Sequence, residues 1–132
     1  MSIAYPPVLD RLEKGPPLRL VAVGGGCIAD AQIAEFTDGS SAFVKRKTGI
    51  PGLFEQEAEG LDALAAAGAI RVPRVLAVSP DTLVLEHIRP SPRRSDFFEH
   101  FGRAFARLHR YTGPACGFAN DNWIGATPQP NA

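Results

Sequence analysis

The sequence predicts an α+β fold in which a small antiparallel sheet carries one helix across it and a second helix follows. Three observations support this prediction. Short apolar segments bounded by turn residues are typical of strands, Asp38-Gly39 is a strong tight-turn signal between two of them, and apolar residues recur at helical spacing from Phe54 onward. With 132 residues and 45% hydrophobic content, the chain is long enough for one domain with a modest core.

The first strands of the predicted sheet lie on both sides of a glycine-rich turn. Residues 18–23 form a short apolar segment typical of a strand, and glycines end it. Residues 29–37 partly alternate between apolar and polar, and the Asp-Gly turn joins them to a further strand at residues 42–45. We therefore expect a hairpin directly after the glycines.

The predicted helix of the sheet follows a loop at residues 48–52 and ends at Gly68, a common helix stop. Beyond it, residues 75–78 and 83–86 are two short strands around a Ser-Pro-Asp turn. These elements complete a small antiparallel sheet with one helix across it.

A Pro-Ser-Pro segment separates this sheet from the rest of the chain. We expect a helix at residues 95–111 with Ser95 as its N-cap. Its apolar stripe consists of Phe97, Phe98, Phe101, Phe105 and Leu108. A stripe this aromatic needs a partner surface. Residues 113–132 are rich in Gly, Pro and Asn and are expected to form a loop.

The composition argues against several classes of partner. Basic and acidic side chains number 14 each, so we expect binding to neither nucleic acid nor an anionic membrane. No apolar run has spanning length and the first residues do not resemble a leader, which predicts a cytoplasmic protein. Cys27 and Cys116 lack the spacing of zinc ligands, so no metal site is predicted and both are expected to be thiols.

The glycine turn is the first candidate site, because residues without a Cβ let backbone N–H groups approach phosphate oxygens. Its residues are Gly24, Gly25, Gly26, Cys27 and Ile28. They also fit the G-x-G-x-x-G/A pattern of dinucleotide-binding folds, but the Asp-Gly turn reverses the chain before the required helix and strand could fit. We favour a phosphate-covering hairpin, with the dinucleotide fold and a purely structural turn as alternatives.

Lys45 ends a strand in a position from which its ammonium can neutralise phosphate charge. Glu57, on the following helix, is at a suitable distance along the chain to form an ion pair that directs this lysine. Glu55 and Glu59 are alternatives, and Glu57 is favoured because it lies at the border of the helix's apolar face. An ordinary surface salt bridge, worth about 0 to 1 kcal/mol, is the other interpretation.

Of four further positions, two have both a chemical and a plain interpretation. The connector after the buried strand would offer the Glu86 carbonyl and the Ile88 amide to adenine in a two-lobed phosphotransferase, although strands leaving a core often look alike. Cys27 adjoins glycine amides that could stabilise a thiolate, which makes it a redox candidate, with an inert side chain as the default. The Asp121-Asn122 pair is expected to order a loop, and His109 to pack or cap near a helix end.

With these residues identified, the whole chain resembles the N-terminal half of the fructosamine kinase (fructosamine/ketosamine-3-kinase) family, which is related to aminoglycoside phosphotransferases. The matching stretches are residues 24–28, 43–45, 54–61, 72–73, 83–86, 101–109, 117–118 and 121–131. The last stretch is the most specific, because a lysine and a glutamate of this kind occur throughout kinase-like folds.

The resemblance implies a protein-kinase-like fold. Residues 1–88 would be the nucleotide-binding N-lobe with a hinge at 86–90, and residues 91–132 the start of the C-lobe. It further implies ATP with Mg²⁺ as cofactors and phosphorylation of ketosamines, free or on protein amines, which removes glycation. Lys45 and Glu57 would anchor phosphates, and Cys27 would be the glycine-loop cysteine that bridges two subunits in some members.

The chain departs from the family at its end. No His-x-Asp followed by Asn, which orients the acceptor hydroxyl and holds metal, occurs in the sequence. The expectation is a truncated chain, inactive alone, with metal ligands in the missing part and a C-terminal half that could be supplied separately. The alternative is a non-catalytic ATP-binding module or a redox-sensitive dimerisation module, as a homodimer that Cys27 could link.

Overall fold

The computed structural model describes residues 3–24 and 28–131. These residues form a five-stranded sheet, two α-helices, a 3-10 helix and a two-stranded hairpin. In chain order the elements are a 3-10 helix (Pro7–Leu12), β1 (Arg19–Val23), β2 (Asp30–Glu35), β3 (Ser41–Arg46), α1 (Leu53–Ala66), β4 (Val75–Ser79), β5 (Thr82–Glu86), α2 (Phe97–His109), β6 (Asn122–Ile124) and β7 (Thr127–Gln129). The predicted α+β class is confirmed.

The sheet has the strand order β1-β2-β3-β5-β4, and every neighbouring pair is antiparallel. The residues after the glycine turn continue into β2, where a dinucleotide-binding fold would need a helix. The dinucleotide alternative is therefore wrong. Register places Ala31 opposite Lys45 and Ala42 opposite Glu86, so the glycine turn and the end of β5 lie toward opposite ends of β3.

Both faces of the sheet are covered by other elements. Side chains alternate along β3, so successive residues project to opposite faces. Ala42 and Val44 are buried on the face that packs against Leu9 of the 3-10 helix. Phe43 packs on the other face, against the cluster that contains Phe54 and Ala58 of α1. Lys45, in the same alternation as Phe43, therefore projects toward α1.

The sequence did not predict that the opening segment covers one face of the sheet. Val8 and Leu9 are buried there, with Leu9 fully enclosed. The segment begins after Pro6 and has Pro7 in its first turn, a position that suits proline because a backbone N–H there would have no partner within the helix and proline has none. Its six residues are too few for helical periodicity to be recognised.

Residues 113–132 were expected to be a loop, and this prediction was wrong in part because β6 and β7 form a hairpin there. Gly125, with φ of 63°, provides the left-handed residue of its tight turn. Each strand has three residues and β7 contains Pro128, so neither shows the alternation that identifies strands.

The second helix, α2, agrees with the predicted segment apart from its ends. It spans Phe97–His109, and its N-cap position is Asp96 instead of Ser95, without a side-chain capping bond. No residue of α2 is buried, and Phe98 is 71% exposed. Near the end of the helix, the Nδ1 atom of His109 lies 2.9 Å from the Phe105 carbonyl. No helix in the described part of the chain is long and apolar enough to cross a membrane.

Candidate functional site

The side chains of Lys45 and Glu57 form an ion pair, with 2.5 Å between Nζ and Oε1. Both are partly shielded, with 27% and 32% of the side chains exposed. The lysine projects from β3 toward α1, and the glutamate is placed by the first turns of α1. The predicted contact between these two residues is therefore present.

The packing of α1 explains why Glu57 and not another glutamate makes this contact. Phe54 and Ala58 are buried against the sheet, which fixes the rotation of the helix. Glu57 then lies at the edge of the packed face, whereas Glu55 is exposed. Glu59 is turned to another partner, Asn120, whose Nδ2 donates to both of its carboxylate oxygens at 3.0 and 3.1 Å.

A cavity of about 790 Å³ opens beside the ion pair, between the sheet, α1 and the β6–β7 hairpin. Its volume is in the range of about 300–1,000 Å³ that is usual for small-molecule sites. Of the predicted site residues it is lined by Gly24, Ile28, Lys45 and Glu57. The arrangement therefore presents an ammonium, held by a carboxylate, to a ligand-sized space next to the glycine turn.

The predicted adenine residues do not line this cavity. Glu86 pairs with Ala42 of β3, which is three positions, or about 10 Å along the strand, from Lys45. The Glu86 carboxylate accepts hydrogen bonds from the Arg71 side chain at 2.8 Å and from the Arg74 backbone N–H at 3.3 Å. These bonds lower the pKa of Glu86, and the bond from Arg71 has the larger effect. Ile88 is 37% exposed. The adenine roles of Glu86 and Ile88 stay predictions.

Three predicted residues, Gly25, Gly26 and Cys27, lie outside the described residues. Their roles in phosphate binding, and the redox role of Cys27, stay predictions. The other cysteine, Cys116, is an exposed free thiol.

The sequence model of the family described as fructosamine kinase matches residues 14–132. The chain belongs to the fructosamine kinase family. A relative from Oryza sativa subsp. japonica, named protein-ribulosamine 3-kinase, chloroplastic, is 39% identical over 118 residues, which cover 83% of this chain and 34% of the relative. A relative from Synechocystis, named a probable ketoamine kinase, is 38% identical over 127 residues, with 89% and 42% covered.

Two solved structures have the same fold as this fructosamine kinase family chain. One, from Thermobifida fusca, is described as a candidate fructosamine-3-kinase and has a TM-score of 0.80 with 27% identity, covering 95% of this chain and 46% of the other. The other, from Haemophilus somnus 129PT and described in the same way, has a TM-score of 0.81 with 24% identity, covering 95% and 45%. The chain thus has a protein-kinase-like fold and spans about a third to two-fifths of the length of the curated relatives above.

The hairpin is the part of the site that the sequence did not assign to it. Phe118, Asn122 and Trp123 of this fructosamine kinase chain line the cavity, from a segment expected to be a loop. The one available signal was the Asp121-Asn122 pair, expected to order that loop, and Asp121 does accept from the Asn131 backbone N–H at 2.8 Å. In the sequence, the pair indicated an ordered loop, but it gave no indication that this loop contacts α1.

The cavity offers an anionic ligand one cation, and it offers a hydrogen-bond donor two amide oxygens. Lys45 supplies the cation, and two amide oxygens, Gln56 Oε1 and Asn122 Oδ1, are buried without a hydrogen-bond partner at its wall. Among residues 3–24 and 28–131, no group of three His, Cys, Asp or Glu side chains could hold a metal ion.

Proposed function

We propose that this chain is the nucleotide-binding part of an ATP-dependent fructosamine kinase that phosphorylates ketosamines. The observation that carries the proposal is the Lys45–Glu57 ion pair, which faces a ligand-sized cavity next to the glycine turn in a member of a kinase family. An ordinary surface salt bridge needs no such cavity.

The residues present fit the phosphate part of ATP. Lys45 binds phosphate oxygens through its ammonium, and Glu57 holds that ammonium in position, so that little ordering is required when the nucleotide arrives. The glycine turn adds backbone N–H groups, which a residue without a Cβ can bring close to the phosphates. ATP supplies the phosphoryl group, and the Glu86 carbonyl and Ile88 amide hold its adenine.

The acceptor that we propose is the sugar hydroxyl of a ketosamine, free or on protein amines, so that the reaction serves protein deglycation. Relatives named as ribulosamine and ketoamine kinases support this class of acceptor. We propose the cytoplasm as the compartment from the composition, although the Oryza sativa relative above is named as chloroplastic.

We further propose that these 132 residues bind Mg-ATP without transferring phosphate on their own. Phosphoryl transfer depends on a positioned catalytic Asp and on metal-borne charge stabilisation, and the sequence lacks the His-x-Asp and later Asn that provide them. A separately supplied C-terminal half would restore turnover, which an ADP-release assay with a model fructosamine measures. Turnover by the chain alone would refute this part.

Titration calorimetry with Mg-ATP tests the nucleotide proposal. Binding by the wild-type chain and its loss in Lys45→Met are the expected results. Lys14→Met is the matched control, since Lys14 also forms a lysine–carboxylate pair, with Asp38 at 2.7 Å, away from the cavity. Equal affinities in the three proteins, or no binding by the wild type, would overturn the proposal.

The exposed stripe of α2 favours a second candidate function, a non-catalytic module that self-associates. Phe97, Phe98, Phe101 and Phe105 are 40–71% exposed, and their rings form successive stacked and edge contacts along one side of the helix. Sizing the protein with and without reductant, beside Cys27→Ser and Phe98→Ser, tests this candidate. A monomer under all conditions would exclude it.

A further inference from the structure

The β6–β7 hairpin contacts the site through a hydrogen bond to α1. Asn120, just before β6, donates through Nδ2 to Oε1 and Oε2 of Glu59, 61 residues earlier in the chain. Glu57 and Glu59 are two residues apart, so they project about 200° apart around the helix. One carboxylate is held by Lys45 of the sheet and the other by Asn120, which restrains α1 from two sides.

The same hairpin also meets Ile28, the last residue of the glycine turn. Its turn residue Gly125 lies so near Ile28 that a Cβ there would be 3.1 Å from Ile28 Cδ1. Within the segment, the Asn131 backbone N–H donates to Asp121 and the Asn131 side chain donates to the Asn120 carbonyl. The hairpin is therefore held together internally while it touches both α1 and the glycine-turn end of the sheet.

We propose that the β6–β7 hairpin is a positioning element for the phosphate site. Asn120, through Glu59, adds a second restraint to the rotation that Phe54 and Ala58 give α1, and so helps to keep Glu57 on Lys45, while Gly125 supports the chain at Ile28. The inference rests on the proposed nucleotide function for its consequence, but the geometry that it asserts can be measured without nucleotide. Asn120 and Glu59 are positioning residues, because they act on the ligand through Lys45 and Glu57.

The first test reads the ion pair directly, by NMR of the Lys45 ammonium and the Glu57 carboxylate in the 132-residue chain without nucleotide. Asn120→Ala and Glu59→Ala are each expected to shift both signals and speed exchange of the ammonium protons. Glu59→Gln retains an oxygen that accepts from Asn120 and should restore the wild-type signals. Glu55→Ala is the control on the same helix, because Glu55 is exposed and lies on the solvent side.

The second test measures Mg-ATP affinity in the same proteins. Removing one hydrogen bond to a carboxylate at a partly exposed position should weaken binding about threefold. The Asn120→Ala/Glu59→Ala double variant should be no weaker than either single variant, because both remove the same link. Gly125→Ala should also lower the affinity, since its Cβ would press on Ile28 Cδ1 at 3.1 Å and alanine is strained at a φ of 63°.

The outcomes separate the two proposals. If the wild-type chain binds no nucleotide, the proposed function fails, and the NMR signals still decide whether the hairpin positions Glu57. If Asn120→Ala leaves both signals and the affinity at wild-type values in a folded protein, the positioning role is refuted. If Glu59→Gln behaves like Glu59→Ala, charge and not the hydrogen bond is responsible, and the proposed link through Asn120 is also refuted.

Discussion

Lys45 and Glu57 are 12 residues apart in sequence, and the end of a strand and the first turns of a helix bring their charged atoms to 2.5 Å. The contact joins the sheet to α1 at the cavity. Because both side chains retain about 30% exposure, the pair contributes little to stability, about 0 to 1 kcal/mol. Its importance lies in the direction that it gives the ammonium.

This relationship predicts that ligand affinity and stability respond differently to Glu57→Gln. Loss of the carboxylate frees the ammonium of Lys45, so Mg-ATP affinity should fall about tenfold, the value of one charged hydrogen bond. The free energy of unfolding should change by less than about 1 kcal/mol. Calorimetry and urea unfolding check the two quantities, and a stability loss as large as the affinity loss would contradict the separation.

We expect that truncating a phenylalanine in the core beneath α1 lowers the free energy of unfolding much more than truncating an exposed one. Phe54 is fully buried between α1 and the sheet, so Phe54→Ala should lower the free energy of unfolding by about 3–5 kcal/mol. Phe98→Ala is the matched control, because the same atoms are removed from a side chain that is 71% exposed. Urea unfolding measures both, and similar losses would place Phe98 in a packed interface.

We expect substitution by alanine to change stability in opposite directions at two glycines. Gly39 has φ of 80° in the turn between β2 and β3, so Gly39→Ala should be destabilising by about 1 kcal/mol. Gly60 lies inside α1 with nothing within 4 Å of an added Cβ, so Gly60→Ala should be stabilising by about 0.5–1 kcal/mol. Thermal unfolding of both variants checks the signs, and a stabilised Gly39→Ala would exclude the left-handed turn.

We expect the protein to lose stability in acid because the Asp38 carboxylate becomes protonated. Hydrogen bonds from Lys14, and then from the Ser40 side chain and backbone, lower the pKa of Asp38 well below its ordinary value. A depressed folded-state pKa stabilises the protein above the ordinary aspartate pKa of about 3.9, and this contribution is lost as the pH falls through the folded value. Asp38→Asn should therefore be less stable than the wild type at pH 7.

The same comparison at lower pH checks the sign of this prediction. The stability difference between wild type and Asp38→Asn should shrink as the pH falls below about 3.9. Urea unfolding across this pH range measures it. A difference that is constant with pH would assign the effect of Asn to the turn geometry and not to titration of Asp38.

Much of the sheet could be predicted because its signals are local. Asp38-Gly39 specifies a turn by its own backbone preferences, and the apolar residues from Phe54 onward repeat with the helical period. The Lys45–Glu57 contact followed from strand β3 and helix α1, since the apolar face of the helix must pack against the sheet. The 3-10 helix and the β6–β7 hairpin were missed because both are too short to show a period.

The sequence by itself determined the α+β class and the antiparallel hairpins and favoured Glu57 as the partner of Lys45, because propensity and periodicity act between neighbours in the chain. Only the tertiary structure decided that the 3-10 helix covers the second face of the sheet, and that Asn120 binds Glu59. These contacts join residues far apart in sequence, and their partners depend on how whole elements pack. No local pattern contains that information, because many surfaces could bury the same apolar residues and accept the same hydrogen bonds.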